Sequence, residues 1–97
     1  MMGERFRTFE MSISGDEFRR LLPGALAGSD FEEAGNTFAH TEGGRHWRIT
    51  LQPLPALGLG AIRLERYRVE WSFAGYSGAE IAALVDRFEL QFRRGGG

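Results

Sequence analysis

Residues 37–52 read TFAHTEGGRHWRITLQ. Gly43-Gly44 is a two-residue hairpin signal, because a tight turn between right-twisted strands needs φ > 0 at its central positions. If those glycines form the loop, Glu42 faces Arg45, His40 faces Trp47 and Phe38 faces Ile49. The apolar residues Phe38, Trp47, Ile49 and Leu51 then share one face, and Thr41, His46, Ala39 and Arg48 share the other. A slip of one residue would turn every side chain to the wrong side, so turn and alternation support the same register.

Alternation extends outward from this hairpin. In residues 5–13, Phe9, Met11 and Ile13 point one way and Thr8, Glu10 and Ser12 the other, the pattern of a half-buried strand. A long strand follows residue 60. Ile62 and Leu64 have even parity, but Tyr67, Val69, Trp71 and Phe73 have odd parity, which predicts a bulge or bend near Glu65-Arg66.

Two helices are expected. Ser14 with Glu17 reads as a capping box, and Ile13 with Phe18 as a hydrophobic staple. Phe18, Leu21 and Leu22 form the buried stripe, and Pro23-Gly24 is expected to end the helix or its regular part. Ser77 with Glu80, and Tyr76 with Ile81, repeat the same chemistry before a second helix. Ile81, Leu84, Val85, Phe88 and Phe92 give that helix one apolar face. Arg93 and Arg94 suit its C-terminal dipole.

The expected architecture is an α+β two-layer sandwich. A curved antiparallel sheet of about four strands carries two helices on one face, in the order β-α-β-β-β-α. Residues 24–36, rich in glycine and acids, read as a connection. A chain of 97 residues fits a single domain over 1–97, with frayed ends at 1–4 and 95–97.

Composition removes several chemistries. There is no cysteine, hence no disulfide, no thiolate nucleophile and no cysteine-bound metal. All twelve basic residues are arginine, so no lysine can form a Schiff base or bind phosphate in a P-loop. The net charge of −1 argues against a general polyanion binder. No apolar run is long enough to span a membrane, and the first residues lack the apolar stretch of a signal peptide. The expected location is the cytoplasm.

No residue set points to a reaction. Ser14 and Ser77 are accounted for as caps, and Glu10 and Glu70 sit among arginines as expected salt-bridge partners. The register puts His40 and His46 on opposite faces, where they cannot share an ion, so neither metal nor cofactor is expected. Gly58-Leu59-Gly60 lacks the third glycine and the following helix of a dinucleotide fingerprint.

Residues 53–60, PLPALGLG, read as a loop because of their prolines and glycines, and as a greasy one because of Leu54, Leu57 and Leu59. Either these leucines cap the core or they meet a partner. The leading expectation is a non-enzymatic interaction module, contacting a protein partner or a second copy through Leu54, Leu57 and Leu59. One alternative is a small-ligand or enzymatic pocket between sheet and helices, lined by His40 and Trp47. Another is nucleic-acid binding through Arg48, Arg66 and Arg68 on the open sheet face, opposed by the interleaved acids and by aromatics of core parity.

Overall fold

The computed structural model describes residues 5–26 and 30–95. Seven elements follow in order: β1 (Arg5–Ser12), α1 (Gly15–Ala25), β2 (Glu32–Ala34), β3 (Thr37–Glu42), β4 (Arg45–Leu59), β5 (Ile62–Ala74) and α2 (Gly78–Gly95). The fold is α+β, with a curved, open antiparallel sheet in the order β1-β5-β4-β3-β2 and two helices packed against it. Of the expected fraying at 1–4 and 95–97, residues 1–4, 96 and 97 lie outside the described residues, and Gly95 is the last residue of α2.

The β3–β4 hairpin has the register read from its turn. Glu42 pairs with Arg45, His40 with Trp47 and Phe38 with Ile49. Gly43 and Gly44 carry φ of 56° and 82°, as the turn requires. A third glycine supports the hairpin from below. Gly75 has φ of 83°, and a Cβ there would lie 2.5 Å from the Gly44 carbonyl oxygen.

One face of the sheet is apolar and the helices cover it. Phe38, Trp47, Ile49, Leu51, Val69, Trp71 and Phe73 from the strands are buried against Phe18 and Leu22 of α1 and Ile81, Phe88 and Phe92 of α2. Aromatic rings dominate this layer. Trp71 lies 5.1 Å from Phe88 between ring centroids, and Phe18 lies 5.0 Å from Phe92. Truncating such a ring to alanine costs about 3–5 kcal/mol.

Four features differ from the sequence reading. First, the sheet has a fifth strand. Within the supposed connection, β2 pairs with β3 through Glu32↔Ala39 and Ala34↔Thr37. Arg19 of α1 fastens this turn, contacting Glu33 Oε2 at 2.7 Å, the Gly35 carbonyl at 3.0 Å and Asn36 Oδ1 at 3.1 Å.

Second, α1 continues through Pro23 and Gly24 to Ala25, and the Leu26 N–H closes on the Leu22 and Pro23 carbonyls. Third, the two helix starts are unlike. Ser77 and Glu80 form a reciprocal box: Ser77 N–H donates to Glu80 Oε1 at 2.8 Å, and Glu80 N–H donates to Ser77 Oγ at 3.1 Å. At α1 only half of the box exists. Glu17 N–H donates to Ser14 Oγ at 3.1 Å, but the Glu17 carboxylate turns to Arg20 instead.

Fourth, residues 53–60 are not a loop. Strand β4 runs through both prolines to Leu59, and the chain turns at Gly60-Ala61 into β5. The expected irregularity lies at the anticipated level of the sheet, but on the other strand. Leu54 pairs with Arg66 and Leu57 with Leu64, so β4 spends one more residue than β5 across this step. The extra residue is a β-bulge at Pro55-Ala56.

Candidate functional site

Hydrogen-bond phase explains how β4 accommodates its prolines. Leu51 N–H donates to the Asn36 carbonyl at 2.8 Å, away from β5. Backbone groups alternate sides along a strand, so position 53 also faces away from β5. Position 55, at the bulge, continues that phase. A missing N–H there breaks no ladder bond, which is why proline is tolerated at a strand edge.

The result is a two-stranded arm. Strand β3 ends its pairing at Thr37↔Thr50, and β1 ends at Ser12↔Arg66. Beyond those points, among the described residues, β4 and β5 pair only with each other, through Leu57↔Leu64 and Leu59↔Ile62. The arm accounts for the elongated molecule, 49 Å by 24 Å by 23 Å. The radius of gyration of 14.1 Å exceeds the roughly 12.5 Å of a compact chain of this length.

The arm is apolar and exposed. Ile62 is 61% and Leu64 37% exposed, and Leu54 is half-buried opposite Arg66. The side chains of Leu57 and Leu59 lie outside the described residues. Their backbone register is defined. The bulge shifts the phase of β4, so positions 54, 57 and 59 all pair with even positions of β5, namely Arg66, Leu64 and Ile62. Even positions of β5 belong to the face away from the helices, since Val69, Trp71 and Phe73 fill the core.

Phe6, 61% exposed and paired with Ser72, lies on that same open face at the far end of the sheet. Sequence reading passed over it, although its even parity with Thr8 and Glu10 was the signal. Between these apolar ends lies a charged belt. Arg66 and Arg68 both reach Glu10, at 3.4 Å and 3.5 Å. Arg48 lines a shallow open-face groove of about 360 Å³ with Phe6, Thr50 and Glu70. The three arginines therefore share a face, but two of them are drawn to one carboxylate. Trp47 and Trp71 are buried on the opposite side.

His40 and Trp47 are also brought together, as a packed pair. Their rings stack at 5.8 Å with an interplanar angle of 27°. His40 Nδ1 lies against the Asp30 carbonyl, and Nε2 lies 3.2 Å from Glu42 Oε1. Trp47 is 1% exposed. It forms the floor of a small cleft of about 270 Å³ between the β3–β4 hairpin and the start of α2. His46 instead engages Thr41 Oγ1 at 2.8 Å. Among the described residues, no group of three His, Asp or Glu side chains could hold a metal ion.

At that cleft Arg45 links hairpin to helix. Its guanidinium meets Glu80 Oε2 at 2.7 Å and lies 5.3 Å from the centre of the Tyr76 ring. Glu80's carboxyl is held below the usual carboxylate range, first by the Ser77 backbone N–H it accepts and then by Arg45. Burial pushes the Tyr76 phenol up, and Arg45 opposes that shift. These contacts fix α2 on the sheet.

Comparison with known proteins finds no matching family model, no similar curated protein and no similar solved structure. No helix among the described residues is long and apolar enough to cross a membrane.

Proposed function

We propose that this protein is a non-enzymatic interaction module that presents the apolar face of its β4–β5 arm to a protein partner. The observation that carries this reading is the arm itself. A two-stranded ribbon is marginally stable in water unless a third strand or another surface covers it. Here neither β1 nor β3 reaches it, and Ile62 and Leu64 stand exposed on it. Apolar surface of this kind on a folded domain marks a contact site.

The contact uses the face of the arm, not its edges. Prolines at 53 and 55 remove donors from the β4 edge. On the β5 edge the outward backbone groups belong to Arg63 and Glu65, charged residues that discourage strand addition.

Native mass spectrometry on protein purified gently from its own host tests the reading. The parent is expected to retain a bound protein mass that an Ile62→Asp, Leu64→Asp variant loses while keeping its circular dichroism. An equal bound mass on parent and variant, or a bare parent, would sink the reading.

A further inference from the structure

The arm is only part of the sheet's border. The outer edge of β2 is three residues long and acidic, Glu32-Glu33-Ala34. The outer edges of the arm carry prolines on one strand and charges on the other. All three are devices that discourage strand addition. The remaining border, β1, has neither the brevity of β2 nor a proline, and of its positions 6, 8, 10 and 12 only Glu10 is charged. It is eight residues long and pairs with β5 without a break in register from Arg5↔Phe73 to Ser12↔Arg66.

The direction of its backbone groups follows from the ladder. Leu51 faces β3, so Thr50 and Gln52 face β5, and their partners Glu70 and Arg68 face β4. Val69 then faces β1, and its partner Phe9 faces β5. Phe6, Thr8, Glu10 and Ser12 therefore turn their N–H and C=O groups outward. Among the described residues, the interaction recorded for these groups is Arg7 Nη1 donating to the Phe6 carbonyl at 2.9 Å.

Beside this edge runs a groove of about 410 Å³, walled by Phe9, Met11, Ile13 and Phe92, with Glu89 and Arg93 at the rim. A ligand that fits both features is an extended strand with apolar side chains at alternate positions. Strand β1 is itself such a strand. Arg5 and Arg7 occupy its first half, and the groove's rim offers Glu89 as a counter-charge, with Arg93 beside it.

We propose that β1 is the self-association edge of this protein, where a second copy adds its own β1 antiparallel about a two-fold axis at Phe9. In this register Thr8 exchanges backbone hydrogen bonds with Glu10 of the second copy, and Phe6 with Ser12. Phe9 meets Phe9 as a close non-hydrogen-bonded pair. Arg7 falls opposite Met11 of the second copy, beside its Glu89. The two sheets become one, and the arms stay free at its ends.

Sedimentation velocity over a concentration series, on the full chain, tests this. The parent is expected to dimerise. Thr8→Pro removes only an outward N–H, twice per dimer by symmetry, and is expected to weaken association about thirtyfold. Arg7→Glu is expected to weaken it about fivefold, and adding Glu89→Arg to restore it. If Thr8→Pro does not fold, the charge exchange decides alone.

A parent that stays monomeric throughout overturns the proposal. So does a dimer indifferent to Thr8→Pro and Arg7→Glu, or one dissolved by Ile62→Asp, Leu64→Asp instead. A monomer carrying a foreign polypeptide that Thr8→Pro releases would assign the edge to another protein's strand.

Discussion

Among the described residues the indole N–H of Trp71 has no hydrogen-bond partner, and its side chain is 0% exposed. An unsatisfied buried donor costs about 1–3 kcal/mol, while the ring around it supplies apolar contact on several sides. Trp71→Phe removes the donor and keeps most of the contact. It is expected to unfold within about 1 kcal/mol of the parent in urea, whereas Trp71→Ala loses about 3–5 kcal/mol. Glu80 offers a pH-dependent counterpart. Its lowered carboxyl pKa means that its contribution is fully present above the ordinary carboxylate range. That contribution is lost as pH falls through the lowered value. The gap in urea midpoint between the parent and Glu80→Gln is therefore expected to be widest near neutrality and to close in acid. A gap independent of pH would mean that the carboxylate charge contributes nothing. Both residues illustrate what sequence can reveal. Glu80's capping role followed from its spacing to Ser77, but its second partner, Arg45, comes from a turn far away in the chain.

At the scale of elements, the hairpin over 37–51 was legible because its turn and its alternation are both local. Residues 53–60 were not, for a reason particular to Pro53 and Pro55. Proline and glycine signal a break only if the chain needs the missing N–H or the regular φ. Here the missing donors face an edge, a fact fixed by the phase of Leu51 against Asn36. Strand β2 was hidden for a related reason. Its three residues carry no periodicity, and its place is set by Arg19 reaching from α1. None of the arm's described residues beyond Leu54 belongs to the buried core. Replacing residues 55–65 by Asn-Gly would join Leu54 and Arg66, already cross-strand partners, through a two-residue turn. This variant is expected to keep its far-ultraviolet dichroism and cooperative unfolding. Its radius of gyration by X-ray scattering should fall from 14.1 Å toward the roughly 12.5 Å of a compact chain. A molten or aggregated product would show that the arm is part of the folding unit.

For the whole molecule, the layer arrangement followed from the alternation of Phe38, Trp47, Ile49, Val69 and Trp71, whose burial on one face leaves room for helices on that side alone. The leucines of the candidate site were visible as residues, but their geometry was not. A bulge had to bring positions 54, 57 and 59 into one phase, and a bulge is specified by pairing between strands. The open face, with Phe6 at one end and the arm at the other, likewise exists only once β1 is laid beside β5.

That last pairing orders the folding of this chain in time. The β3–β4 and β4–β5 hairpins close over short loops and can form early. Strand β1 is synthesised before β5, yet its partners there lie at Arg66 to Phe73. Closing so long a loop is slow, which places this step among the later events of folding. Until β5 has been made, the residues of β1 that will face the core have nothing to pack against. A newly made chain therefore passes through an interval in which both β1 and the matching border of β5 are open. In that interval crowding with other nascent copies invites exchange of β1 between chains, so dilution during refolding should raise the yield of correctly closed protein.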